Sequence, residues 1–80
     1  MTPAGFIAYD DEVHAVIGAG TTAEEARAEA EHADPTAAVV VLPATAALIA
    51  DFRETGDPTW LTVDVGGLEV ACLEEERDAH

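Results

Sequence analysis

Glycines at nucleotide-binding spacing, three histidines, one cysteine and a large excess of carboxylates are the residues of this chain with the means to do chemistry. Val16-Ile17-Gly18-Ala19-Gly20-Thr21-Thr22-Ala23 satisfies the G-x-G-x-x-G/A pattern, follows an apolar run and opens a helix. A dinucleotide turn, however, follows the first strand of a fold with room for several β-α units. Here it would follow the second strand of a hairpin in a chain of 80 residues. The end of the next strand, where the acidic ribose ligand is expected, holds Val41, Leu42 and Pro43. Glu24 and Glu25 occupy the helix N-terminus where a pyrophosphate would dock, and they already complement its dipole. The glycines are expected to make a tight strand-to-helix turn, and no cofactor is expected.

His14, His32 and His80 have no metal-site spacing among themselves or with Cys72. His14 is expected on a half-exposed strand face beside Tyr9, and His32 in the last turn of the first helix, where positive charge is favourable. A single cysteine makes no internal disulfide and no thiolate cage, and Cys72 reads as a small core residue. Asp10-Asp11-Glu12 lacks the calcium-loop pattern. Paired acids occur by composition alone in so acidic a chain. The expectation is a protein that is not an enzyme.

The elements that position these residues follow from pattern and punctuation. Gly5–Tyr9 and Val13–Gly18 read as strands joined by a turn at Asp10, Asp11 and Glu12. Their faces divide into Phe6, Ala8, Ala15 and Ile17 against Ile7, Tyr9 and Val16. Thr22 with Glu25, and Thr21 with Glu24, are capping-box pairs, opening a helix from about Ala23 to Ala33. Ala23, Ala26, Ala30 and Ala33 form an inner stripe that allows close approach to a sheet. Thr36 to Leu42 reads as a buried strand stopped by Pro43. A second helix over about Ala44 to Thr55 turns Leu48, Ile49 and Phe52 inward and ends at Gly56. Trp60–Val65 and Leu68–Cys72 alternate about a Gly66-Gly67 turn, pairing Val65 with Leu68, Val63 with Val70 and Leu61 with Cys72. The polar tail from Glu74 to His80 frays or adds one helical turn. The fold class is α+β, ordered β-β-α-β-α-β-β: one domain over 1–80 with two helices on a mixed five-stranded sheet.

Hydrophobic residues at 49% suffice for a small core. No run approaches the roughly 18 apolar residues of a membrane helix, and MTPAGF lacks the features of a signal peptide. A cytoplasmic domain is expected. Seventeen Asp and Glu against three Arg and no Lys give a net charge of −14. Such a field repels nucleic acid and anionic lipid and attracts basic surfaces. Two origins stay open: a basic partner, or a salt-rich cytoplasm in which proteins turn acidic and lose lysine.

Following the chain from the Asp10–Glu12 turn, successive returns are expected to bring Glu31 and Asp34, then Glu54 and Asp57, then Glu74–Glu76 to that same end. Asp64 and Glu69 should face each other in the last hairpin. Like charges about 5.5 Å apart in water repel by roughly 0.8 kcal/mol before screening. A small domain that keeps such repulsions has salt to suppress them or a cation to use them.

A motif-free acidic α+β chain of this size resembles the anti-CRISPR proteins of phages and prophages, in particular inhibitors of the type I-C surveillance complex (Cascade). The resemblance rests on layout, from FIAYDDEVHAVIG through WLTVDVGGLEVAC, and on charge. These proteins share no signature motif, so no residue is carried over as a known contact. The resemblance implies a non-enzymatic, DNA-mimic-like inhibitor, a monomer or weak dimer, on a Lys/Arg-lined surface that normally holds target DNA. The candidate partner-binding residues are Asp10, Asp11, Glu12, Glu31, Asp34 and Asp57, with Glu24, Glu25 and Glu29 along the exposed helix face. The alternatives are a HicB-like antitoxin or other acidic interaction module, and a halophile's small acidic domain.

Overall fold

The first strand is apolar on both faces, and the fold covers both. The structure, a computed structural model, describes residues 2–78; His80 lies outside them. Its elements are β1 (Gly5–Asp10), β2 (Ala15–Gly20), α1 (Ala23–Ala33), β3 (Val39–Ala44), α2 (Ala46–Thr55), β4 (Trp60–Val65), β5 (Leu68–Leu73) and a single turn, α3 (Glu74–Asp78). The expected α+β order holds, with α3 added. The sheet order is β2-β1-β3-β5-β4.

Alternation along β1 sends Ala8 and Phe6 toward Ala26 and Ala30 of α1, with Ile17, Val39 and Val41 beside them. It sends Ile7 and Tyr9 toward Leu48, Ile49 and Phe52 of α2, in a second cluster with Val16, Ala19, Ala44, Ala71 and Leu73. The two helices therefore lie on opposite faces of the sheet. Of the alanine stripe on α1, the middle pair, Ala26 and Ala30, is fully buried, whereas Ala23 and Ala33 at the ends are exposed.

The glycine expectation is corrected. Gly18 and Gly20 lie within β2, not in a turn after it. A Cβ on Gly18 would stand 2.5 Å from the Ala26 carbonyl oxygen and 2.7 Å from the Ala30 nitrogen; one on Gly20 would stand 2.5 Å from Glu25 Cβ. These glycines are required because helix backbone lies directly on strand backbone. A bulge accompanies them: the register shifts between Ala8 (opposite Gly18) and Tyr9 (opposite Val16), leaving Ile17 as the extra residue. The first turn also differs. It spans residues 11–14, His14 takes φ 58°, and the His14 N–H donates to Asp10 O at 2.7 Å.

Pro43 does not stop β3 but lies inside it, opposite Phe6. Ala44 O accepts from Ala4 N on the β1 side, so the Pro43 nitrogen faces β5. Pro43 has no proton to give there. The β3–β5 ladder is accordingly reduced to one bridge, Ala44 with Ala71, beside a bond from Thr45 N to Ala71 O of 3.0 Å.

The last hairpin has the predicted register from Trp60–Leu73 to Val65–Leu68, and Gly66 and Gly67 have φ 61° and 87°. Its placement overturns the single acidic end. β5, whose Val70, Ala71, Cys72 and Leu73 are all buried, takes the inner slot and runs parallel to β3, leaving the edge to β4. Its C-terminus therefore emerges at the Ala44 end, opposite the Asp10 turn, where the Thr45 hydroxyl donates to Glu76 Oε1 at 2.6 Å.

A Gly18→Ala substitution is expected to cost about 2 kcal/mol, because rigid backbone on both sides must separate to admit the methyl group. Urea unfolding of wild type and variant measures this; an unchanged midpoint would show that α1 does not press on Gly18.

Candidate functional site

Carboxylates are the only ionisable groups numerous enough to build a surface here, and they divide into those occupied by the fold and those left outward. The Asp10–Glu12 turn is docked by a bond from Asp11 N to Ala38 O of 2.9 Å. Asp10 Oδ1 accepts the Glu12 N–H at 2.9 Å, so Asp10 shapes the turn while Asp11 and Glu12 are exposed. Asp34 does the same work after α1, accepting from Thr36 N at 3.1 Å and Thr36 Oγ1 at 2.9 Å. Asp10 and Asp34 are brought to one end of the sheet, since Asp10 pairs with Val39, the first residue of β3. Glu31 is exposed in the last turn of α1, beside His32, which occupies that turn as expected.

Glu24, Glu25 and Glu29 do not form one array. Glu25 closes the start of α1, accepting from Thr21 N at 2.9 Å and Thr21 Oγ1 at 2.5 Å, while Thr22 Oγ1 accepts from Glu25 N at 3.1 Å. These bonds, the Thr21 hydroxyl's first, hold the Glu25 carboxyl below its ordinary range. Glu29 is turned inward to the sheet edge. Its Oε2 accepts the Ala19 N–H at 2.8 Å, its Oε1 binds Arg53 Nη1, and Arg53 Nη2 donates to Ala19 O at 2.9 Å. One residue from each helix thus occupies both outward backbone groups of Ala19 on the edge strand β2. Burial works to raise the Glu29 carboxyl, but the Arg53 and Ala19 hydrogen bonds and the Arg53 charge outweigh it and leave it lowered. Pattern reading missed Arg53, since nothing in its spacing shows that two helices on opposite faces meet around one strand. Only Glu24 of the three is left outward.

Asp57 joins Asp51, Glu74 and Glu75 around a surface depression lined also by Thr55, Thr59 and Leu73. With Glu76 on Thr45, this makes a second acidic group that the single-end reading missed.

His14 sits in the turn, not on a strand face. Its ring stacks on Trp60 at 4.3 Å and 4° and meets Tyr9 edge-on at 5.2 Å; Tyr9 and Trp60 are 4.9 Å apart. Burial, then the charges of Asp11 and Glu69, push the Tyr9 phenol upward. Cys72 is fully buried, and burial followed by the Glu76 charge raises its thiol, so it is protonated and packed, as a core residue should be. Among the described residues no group of His, Cys, Asp and Glu is arranged to hold a metal ion. No helix of the described residues is long and apolar enough to cross a membrane. No protein-family model, curated protein or solved structure matches the chain.

Glu25 and Glu29 ionise more readily in the folded chain than in the unfolded one. Their contribution to stability is complete above the ordinary carboxyl value of about 4.3 and is lost as pH falls through the lower folded values. Glu29→Gln is expected to cost about 1 kcal/mol at neutral pH, the worth of an edge hydrogen bond and a screened ion pair. The gap in Tm between wild type and variant should close as pH falls below about 4. A gap independent of pH would show that the Glu29 charge does not hold the edge.

Proposed function

We propose that the chain is an acidic, non-enzymatic inhibitor of a nucleic-acid-binding protein, of the anti-CRISPR kind. It binds a basic surface of the type I-C surveillance complex and blocks target DNA. The observation that carries this reading is the set of carboxylates with no local structural task. Asp11, Glu12, Glu24, Glu31 and Asp57 are exposed, and their side chains have no hydrogen-bond partner among the described residues. They stand on a chain of net charge −14. A channel that grips phosphates through Lys and Arg binds such a surface by the same charge logic. Association would be steered electrostatically and weakened by salt. Asp10, Asp34, Glu25 and Glu29 support this surface by fixing the turns and the helix that carry it.

A gel shift of target duplex by purified type I-C surveillance complex, preincubated with the protein, tests the reading. The shifted band is expected to vanish near stoichiometric ratios. The double variant Asp11→Lys, Glu12→Lys should require about tenfold more protein while keeping its Tm, because neither side chain supports the fold. An undiminished band at large excess would sink DNA blockade. An unchanged requirement for the double variant would remove the first turn from the interface.

A further inference from the structure

The two edges of the sheet are treated differently. On β2 the outward N–H and C=O of Ala19 are occupied by Glu29 and Arg53. On β4 no such device exists among the described residues. The two-residue turn makes Val65 and Leu68 a hydrogen-bonded pair, and alternation then directs the backbone groups of Val63 and Leu61 to β5 as well. The bond from Glu74 N to Thr59 O, 3.1 Å, continues this series. The N–H and C=O groups of Thr62 and Asp64 consequently point away from the sheet. Among the described residues no hydrogen bond reaches them. An edge left in this state is a template for another strand.

The side chains of β4 state what that strand must carry. On one pleat face Thr62 and the exposed Asp64 lie beside Glu69, and among the described residues both carboxylates accept only from neutral donors, Gly67 N at 2.7 Å and Thr62 Oγ1 at 3.4 Å. On the other face Leu61, Val63 and Val65 are half-buried beside Leu68, which is 47% exposed. A second copy of the chain would set Asp64 and another −14 against this edge, which charge opposes. We infer that β4 is a docking edge for an extended segment of a partner protein in which Lys or Arg alternates with apolar residues. The segment adds a sixth strand, placing its cations over Asp64 and Glu69 and its apolar side chains beside Leu61, Val63 and Val65. This does not depend on which protein supplies the segment, so it stands or falls separately from the gel shift.

The test titrates a blocked synthetic octapeptide of alternating valine and lysine into the isotopically labelled full chain, followed by amide NMR and hydrogen exchange. Expected are shifts concentrated on β4 and exchange at the Thr62 and Asp64 amides slowed about tenfold or more at saturation. Thr62→Pro removes one outward donor without touching the β5 ladder and should weaken binding about tenfold. Should that variant fail to fold, Asp64→Lys, at an exposed position, should weaken binding several-fold. A valine–glutamate octapeptide should not bind. Absence of binding overturns the inference. So do shifts spread over the Asp11–Glu12 turn and α1 that neither variant alters, since these mean unspecific attraction. Slow exchange of the same amides without peptide, rising with protein concentration, overturns it in favour of a second copy.

Discussion

No side chain stands between β2 and α1 at Gly18, and the arrangement of the molecule follows from that contact. Ala26 and Ala30 lie on strand backbone, so α1 sits low enough for Glu29 to reach around the edge to Ala19. There it meets Arg53 from α2 on the opposite face. A larger residue at Gly18 would lift the helix and withdraw Glu29 from the edge. One of only three arginines is placed at this junction, joining three layers and occupying an edge residue, Ala19, that would otherwise be open to pairing.

The opposite half of the sheet is joined more sparingly. Pro43 withholds an N–H from the β3–β5 seam, leaving one bridge and the Thr45 bond to hold the last hairpin by its backbone. Side chains supply the rest: Ala71 and Leu73 share a core with Ile7 and Leu48. Because β5 is the buried arm of the hairpin, β4 becomes the edge. The sheet thus has one edge blocked at Ala19 by an ion pair and one whose outward backbone at Thr62 and Asp64 is unpaired among the described residues, beside carboxylates.

Acidity is distributed in the same divided way. Asp10, Asp34, Asp64, Glu25, Glu29 and Glu76 have backbone donors to satisfy, which binds each to a turn, a helix terminus or an edge. Asp11, Glu12, Glu24, Glu31 and Asp57 are exposed and accept no hydrogen bond among the described residues, and the acids gather at two ends of the sheet rather than one. That division suits a surface presented to a cationic partner, since its shape is held by some carboxylates and its charge by others.

Much of this was legible in the chain itself, because local physics determined it. Gly66-Gly67 has the positive φ angles of a two-residue turn, and a two-residue turn sets the whole register from Trp60–Leu73 to Val65–Leu68. Thr22 and Glu25 start α1, Gly56 ends α2, and alternation in β1 separates its two apolar faces. What the tertiary structure decided were questions of which surfaces meet. Gly18 and Gly20 are read locally as a turn, since glycine supplies flexibility and close approach with the same letter; only the position of α1 distinguishes them. Pro43 is read as a stop because its missing N–H matters only where a neighbouring strand asks for it. The acids read locally as one array because the direction of β5 depends on which hairpin arm is buried against β3. That is a comparison between segments distant in sequence, and no local pattern encodes it.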